Sequence, residues 1–597
     1  MRYLVVSCLL LSLACAGGGP PPAKESGGGE NSASVGRVAG GFPSSDALDA
    51  LTKEPLPKAA DLGKGYRDVD RWELAGPFPD AVSSAPRSGR RPWDALVDEF
   101  VAHRAGLVVA TESMDCFARE VGRFLQAEHG APGVVLQRFI AGRCGVATPP
   151  PSFETLGWGP TQARDAEEAV AQLGDAIAKR LAERVVGGPL ELGVWLAIGD
   201  ARVDMIIATG ERRARVEPIA TSPGADGRIE IEGELLLPAT SLGGSVTRGR
   251  FEWAECESDA GVMLPRFRLR CPVAADDATA WIAVEYRPPE RLLGQVALHV
   301  LVRPQGGELR RFERAHYTET RNIDDPAELT AALLELLNDV RRDAGLAPLA
   351  LDAAQSEVAA RLAPYYFSGL VGQAPHSVAD LVALGMMAGW EVDGIVQQGT
   401  FAWAWLVQSR DLGRLLSDAL QDPGARKSLL ARDAERIALG ARFSDAGADA
   451  GAKPGVDSIA VIAATYSLFS EATHHRDVET VRAVLTRARA ARSRKPPGSL
   501  DAAEPLTSRA AARVQGGEEP RYVLADLISE GAERLHRSVV GWMAETQDLD
   551  TLAFPDDFID RDDLDVAIAV PARKPEGEPW GRYVVLLLAA EPPQRRL

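Results

Sequence analysis

At 597 residues the chain is long enough for about four domains. It carries 84 acidic against 66 basic side chains, a formal charge of −18 at pH 7, with no long lysine or arginine run. That balance argues against a nucleic-acid partner, whose phosphates need a clustered basic surface.

Residues 1–15 read as an export signal: Arg2, an apolar stretch from Leu4 to Leu13, then Ala14-Cys15. Cys15 resembles the lipidated cysteine of a bacterial lipoprotein, with Ser12 standing where that signal usually has an aliphatic residue. The resemblance implies a membrane lipid anchor at Cys15, and Ala16 resembles outer-membrane sorting. The expected location is the outer membrane or cell surface, or, with a simply cleaved signal, the periplasm or medium. Beyond residue 15 no apolar run approaches the roughly 18 residues of a spanning helix. Residues 16–60, rich in Gly, Pro, Ser and Ala, predict a flexible linker.

Cys8 and Cys15 belong to the leader, which leaves Cys116, Cys144, Cys256 and Cys271. An even set in an exported chain predicts two disulfides. Of the three connectivities, the local pairs Cys116–Cys144 and Cys256–Cys271 keep each bridge inside one apparent domain; free buried cysteines are the other reading. No CxxC spacing supports a metal site, and no cofactor is expected.

From 61 to 209 the pattern is mainly helical, with Cys116 to Val121 in one helix and Leu136 to Ile140 in another. A third runs from Asp165 to Val185, with Ala169, Leu173, Ile177 and Leu181 on one face. Strands in the stretch from Leu190 to Ala208 would complete this unit. Between 210 and 308 the period changes to two: Ile229 and Ile231 alternate with Glu230 and Glu232, and Phe267, Leu269 and Cys271 with Arg268 and Arg270. With strands at Trp281 to Tyr286 and Ala297 to Val302, this predicts a β-sandwich.

Next, Leu333, Leu336, Leu337 and Val340 recur at helical spacing, Gly345 ahead of Ala347-Pro348 ends that helix, and Asp352 with Gln355 reads as a capping box opening another. Leu337, Asn338, Arg341, Gly345, Leu346, Pro348, Leu349, Asp352 and Ala359 match the opening pattern of the CAP (SCP-like; cysteine-rich secretory, antigen 5, pathogenesis-related) superfamily, which the segment resembles. The resemblance implies an α-β-α sandwich over 325–470. A helix through Phe401 to Val407, another from Leu412, and strands from Arg436 to Phe443 and Ser458 to Leu468 around the loop 444–457 fit that order.

Leu351 to Gln355 recurs as Leu500 to Glu504, an offset of 149, and Trp405 to Leu412 as Trp542 to Leu549, an offset of 137. Val566 to Val570 and Arg582 to Ala589, around Pro571 to Trp580, echo the closing strands. A degenerate second copy over 476–592 is expected, chance similarity of Ala-rich helices being the alternative. The expected fold is therefore multi-domain α+β: a helical N-terminal domain, a β-sandwich, a CAP-like α-β-α sandwich and its degenerate copy.

Many CAP proteins carry two histidines and two acidic residues in an open cleft that in some members binds a divalent cation. Here Asp422-Pro423-Gly424-Ala425-Arg426 resembles the family's SPGHR motif, with Ala425 in the histidine's place. Gly389-Trp390-Glu391 is the nearest match to the Gly-Glu-Asn signature, and His376 is the candidate first histidine. The expectation is a non-catalytic cell-envelope protein binding a protein, lipid or glycan partner. The alternative is a hydrolase or protease using His376 and Glu391, and sterol or fatty-acid transport is a third reading.

The remaining motifs read as structural. No G-x-S-x-G, H-E-x-x-H or G-x-x-x-x-G-K occurs. His474-His475 reads as a solvated linker, and His536 as a surface position on a helix. The six aspartates from Asp556 to Asp565 lack the glycine and glutamate of an EF-hand and read as a solvated acidic loop. Trp403, Trp405 and Trp542 read as core residues, the latter two on an amphipathic helix, rather than a ligand groove.

Overall fold

The computed structural model describes residues 41–55, 66–87, 90–104, 106–159, 163–185, 188–199, 202–289, 291–314, 323, 325–370, 374–407, 411–443, 459–469 and 474–590. The leader, Cys15, most of the expected linker and the loop 444–457 lie outside them. The chain divides into two compact units, one running to Met386 and resuming over Phe401–Thr465, the other comprising Met387–Thr400 and Tyr466–Leu597. Mixed α and β structure runs through both.

Part of the expected linker is folded. Ser44 caps the helix Ser45–Leu51, and Leu48 is buried against Gly385, where a Cβ would lie 2.4 Å from it. The Tyr365 hydroxyl donates to the Glu54 carbonyl at 2.8 Å.

The segment expected to be mainly helical has three layers instead. A four-stranded sheet runs in the order Val108–Ala110, Leu190–Gly199, Arg202–Glu211, Ser152–Trp158. Along Arg202–Glu211, Val203, Met205 and Ile207 pack in the core that includes Val97, Ile177 and Leu181 of the helices Asp94–His103 and Ala166–Arg184. Ile206 and Ala208 face the opposite core, with Phe117 and Ile140 of the helices Glu112–Glu128 and Val134–Arg143. Alternation thus feeds two cores from one strand. Gly193 is required here, because a Cβ would stand 2.1 Å from the Met114 carbonyl oxygen of the covering helix. Cys116 and Cys144 are bonded, joining the two helices on that face.

Residues 214–302 form two four-stranded antiparallel sheets around one core. In the first, Ile229 pairs with Cys271 and Ile231 with Leu269, as the two-residue period predicts. The second runs Glu252–Glu255, Ser241–Arg248, Ala280–Arg287, Gln295–Val302. The Cys256–Cys271 disulfide ties the crossover between the sheets to the first of them.

The helix Pro326–Asp343, capped by Asp325, ends as expected at Gly345 with φ 71°. The pattern residues then explain themselves. Asn338 donates to the Leu349 carbonyl at 3.0 Å and accepts from the Leu349 amide at 2.8 Å, fixing the loop. Arg341, fully buried, donates to the carbonyls of Ala347, Leu429, Ala431 and Ala434. Asp352 caps the helix Ala353–Leu370 through the Gln355 amide at 3.0 Å. The sheet order is Ala350–Leu351, Arg436–Phe443, Ile459–Leu468, Val396–Val407. Phe401 to Val407, expected as a helix, is therefore strand: Phe401, Trp403 and Trp405 recur every second residue, and aromatic side chains favour the pleated surface. Trp403 and Trp405 are buried in the core, their rings 6.0 Å apart.

In the second unit the sheet order is Gly498–Ser499, Asp565–Ala569, Arg582–Ala590, Val539–Thr546. Val585, Leu587 and Ala589 face a core with Val481 and Leu485 of the helix His474–Ala491. Val584, Leu586 and Leu588 face another with Leu506 and Val523 of the helices Glu504–Gln515 and Pro520–Leu535. Trp542, like Trp405, is in a strand rather than a helix, and His474 and His475 open a helix rather than a linker.

The same hydrogen bonds recur 148 residues on. Arg489 is fully buried and donates to the carbonyls of Lys495, Phe558, Ile559, Arg561 and Asp562, as Arg341 does to its own loop. Ser493, at φ 59°, stands where Gly345 does. Ala350–Leu351 pairs parallel with Arg436–Ile437, and Gly498–Ser499 with Asp565–Val566. Asp352 therefore corresponds to Leu500, and the offset of 149 read from the sequence is one residue too long.

Candidate functional site

The SPGHR-like segment is a short helix, Pro423–Leu429, capped by Asp422 through the Ala425 amide at 2.9 Å. Proline in its first turn and an aspartate before it are standard opening chemistry. Ala425 is 1% exposed, so its side chain points into packing. Arg426 donates to the Leu420 carbonyl within its own segment, and across to those of Glu252 at 3.0 Å and Gly249 at 3.2 Å. Lys427 pairs with Glu255 at 2.7 Å and lies 5.3 Å from the Trp253 ring. The helix is thus clamped onto the second sandwich sheet.

Beneath it lies a polar cluster that local sequence spacing did not reveal. Arg138 reaches Asp422 at 2.7 Å, both buried, and stands 5.4 Å from the Trp281 ring. His299, buried with its Nδ1 lacking a hydrogen-bond partner among the described residues, and Glu285, half-buried, share this environment. Burial, with Asp422 adding repulsion, pushes the Glu285 carboxyl up to about 7. Burial pushes the His299 imidazole down to about 4, against the attraction of Asp422. The one available signal was a titratable residue, Glu285 or His299, set inside each of two otherwise mainly apolar strands, AWIAVEYR and QVALHVLV.

Opposite pH slopes follow. Glu285, raised from 4.5, lends stability that is full below pH 4.5 and lost as pH rises through about 7. His299, lowered from 6.5, lends stability present above pH 6.5 and lost as pH falls through about 4. Glu285→Gln is expected to gain ~2 kcal/mol at pH 8, discounted for partial exposure, and nothing at pH 4. His299→Gln removes a loss confined to the acid side. Urea melts at pH 4, 6 and 8 measure both, and parallel pH slopes in wild type and Glu285→Gln would contradict the assignment.

The histidine and glutamate singled out in the sequence lie in different compact units. His376 opens the helix His376–Ala388, half-buried, 4.0 Å from Asp380, which also pairs with Arg291 at 3.3 Å. With Tyr366 and Phe401 they line a small pocket. Glu391 is exposed and acts on Lys574, which lies 5.1 Å from the Trp390 ring.

His536 is exposed just past the end of its helix. The acidic run 556–565 does more than sit in solvent: its carbonyls hold Arg489, and Asp562 and Asp563 pair with Arg494 and Lys495. Among the described residues no group of three or more His, Cys, Asp or Glu stands ready for a metal ion, and no helix is long and apolar enough to cross a membrane. The two disulfides accord with export.

No family profile and no curated protein matches the chain. A structural comparison aligns 43% of it with 81% of the crystal structure of a cysteine-rich secretory protein from Staphylococcus aureus subsp. aureus Mu50, at 11% identity and a TM-score of 0.17. At that TM-score the likeness carries no argument about function, and the fold rests on the residues themselves.

Proposed function

We propose that the chain is an exported, lipid-anchored cell-envelope protein whose CAP-like sandwich and degenerate second copy bind a partner rather than catalyse a reaction. The observation that carries this reading is the helix Pro423–Leu429. In place of a histidine facing an open cleft it has a buried Ala425, and its neighbours Asp422, Arg426 and Lys427 are bonded to Arg138, to sandwich carbonyls and to Glu255. The recurrence of the buried arginine 148 residues on, and of the same sheet order, supports a second copy. The two disulfides and the Ala14-Cys15 signal support export.

The test is a turnover screen of the full chain against denatured protein, nitrophenyl esters and nitrophenyl glycosides, with and without zinc or calcium. The expected result is a rate equal to buffer. Metal-dependent turnover that disappears in His376→Ala would replace this reading with a hydrolase.

A further inference from the structure

We propose that the edge of the strand Ser241–Arg248 takes up an extended peptide segment of a partner protein, with a lysine or arginine of that segment crossing Gly243 to reach Glu285. The proposal rests on the binding reading above and names the partner's chemistry.

The edge is open because two neighbours cover it unequally. Along 241–246 the strand pairs with Ala280–Arg287, but Glu252–Glu255 pairs only with 245–248. The last contact on that side is the Cys256 amide donating to the Gly244 carbonyl at 2.9 Å, after which Glu257–Ser258 joins the other sheet. Main-chain groups alternate sides along an antiparallel strand, so the Leu242 amide and carbonyl point the same way as those of Gly244. They face a cleft of about 330 Å³. An added strand would find its hydrogen-bonding ladder there, the main-chain source of affinity in strand addition.

The face of the sheet supplies the selectivity. Gly243 is the cross-strand neighbour of Glu285, and Ser245 that of Glu255, so all four share one face. A Cβ placed on Gly243 meets nothing within 4 Å, which leaves an empty lane between the open edge and Glu285. Strands lie about 4.8 Å apart, so a partner residue beside Gly243 stands about 10 Å from the Glu285 backbone, a gap that a lysine or arginine and a glutamate span together. Glu255 already has its cation in Lys427, at 2.7 Å. Glu285 makes no hydrogen bond or ion pair among the described residues, and the attraction of Lys427, which is bonded to Glu255, only partly offsets its burial; above about pH 7, where the carboxyl is ionised, charge complementarity favours a cationic side chain in the lane.

The test, at pH 8, uses the full chain and a fluorescein-labelled hexapeptide, Thr-Val-Lys-Val-Thr-Val, compared with versions carrying norleucine for lysine or N-methylated at alternate amides. The lysine probe is expected to bind at least about tenfold tighter than the norleucine probe, and N-methylation to abolish binding. Glu285→Gln should erase the lysine preference, and Gly243→Leu, which fills the lane, should weaken the lysine probe at least about tenfold. Thermal melts establish that each variant is folded, with Gly243→Ser as the milder substitute should Gly243→Leu misfold. Equal binding of the lysine and norleucine probes, competition by N-acetyl-lysine amide as effective as the hexapeptide, or no binding up to about 1 mM would overturn the proposal. Those failures strike this cleft alone, whereas turnover in the screen above strikes the binding reading.

Discussion

Arg341→Met is expected to destabilise the first unit by about 3–5 kcal/mol, because it removes a buried guanidinium and leaves the Ala347, Leu429, Ala431 and Ala434 carbonyls without their donor. Burial pushes the Arg341 pKa down, yet an arginine stays charged in a protein, and here carbonyl oxygens rather than a bonded carboxylate accept its hydrogen bonds. Arg489→Met should do the same to the second unit, whose carbonyls at 495, 558, 559, 561 and 562 lose the same pin. Differential scanning calorimetry separates the two: each variant is expected to lower one transition and spare the other. A loss below about 1 kcal/mol would mean that water replaces the guanidinium, and equal shifts of both transitions would mean that the units do not melt separately.

The second large effect lies at the Arg138–Asp422 pair. Arg138→Met leaves the Asp422 carboxylate buried beside Glu285 and should cost about 3–5 kcal/mol; Asp422→Asn keeps an acceptor for the Ala425 amide but strands the Arg138 charge, at similar cost. Removing both should cost less than the sum, with a coupling of about 2–3 kcal/mol in a double-mutant cycle. Additive losses would show that the pair is not the link between the helix Pro423–Leu429 and the rest of its unit. Lys427→Met should raise the apparent pKa of Glu285, because the attraction that partly offsets the repulsion from Asp422 is lost.

Local chemistry was the legible part of this sequence. Asp352 caps the helix it was read to open, Gly345 ends one, and the alternation of Ile229, Ile231, Leu269 and Cys271 reads directly as paired strands. The pattern containing Asn338 and Arg341 was visible, but its reason was not, since both side chains bond to carbonyls that only the fold brings near.

Period decided the misreadings. Val396–Val407 holds too short an apolar run for periodicity alone to separate strand from helix, and the polar residues of Ser152–Trp158 concealed a strand in what read as a helical unit. The polar cluster was illegible for a plainer reason: Arg138 and Asp422 stand 284 residues apart, and no local spacing joins them.

The seat of Leu48 against Gly385 has a mechanical consequence. Tension applied from the N-terminal side reaches the folded body at Ser45–Leu51, and Leu48 and Tyr365 pass it directly to the helices Ala353–Leu370 and His376–Ala388. The sandwich and the three-layer segment, though they follow immediately in the chain, lie downstream of that attachment. A pull from that side would therefore enter its unit through this pair of helices and not through the strand edge at 241–244.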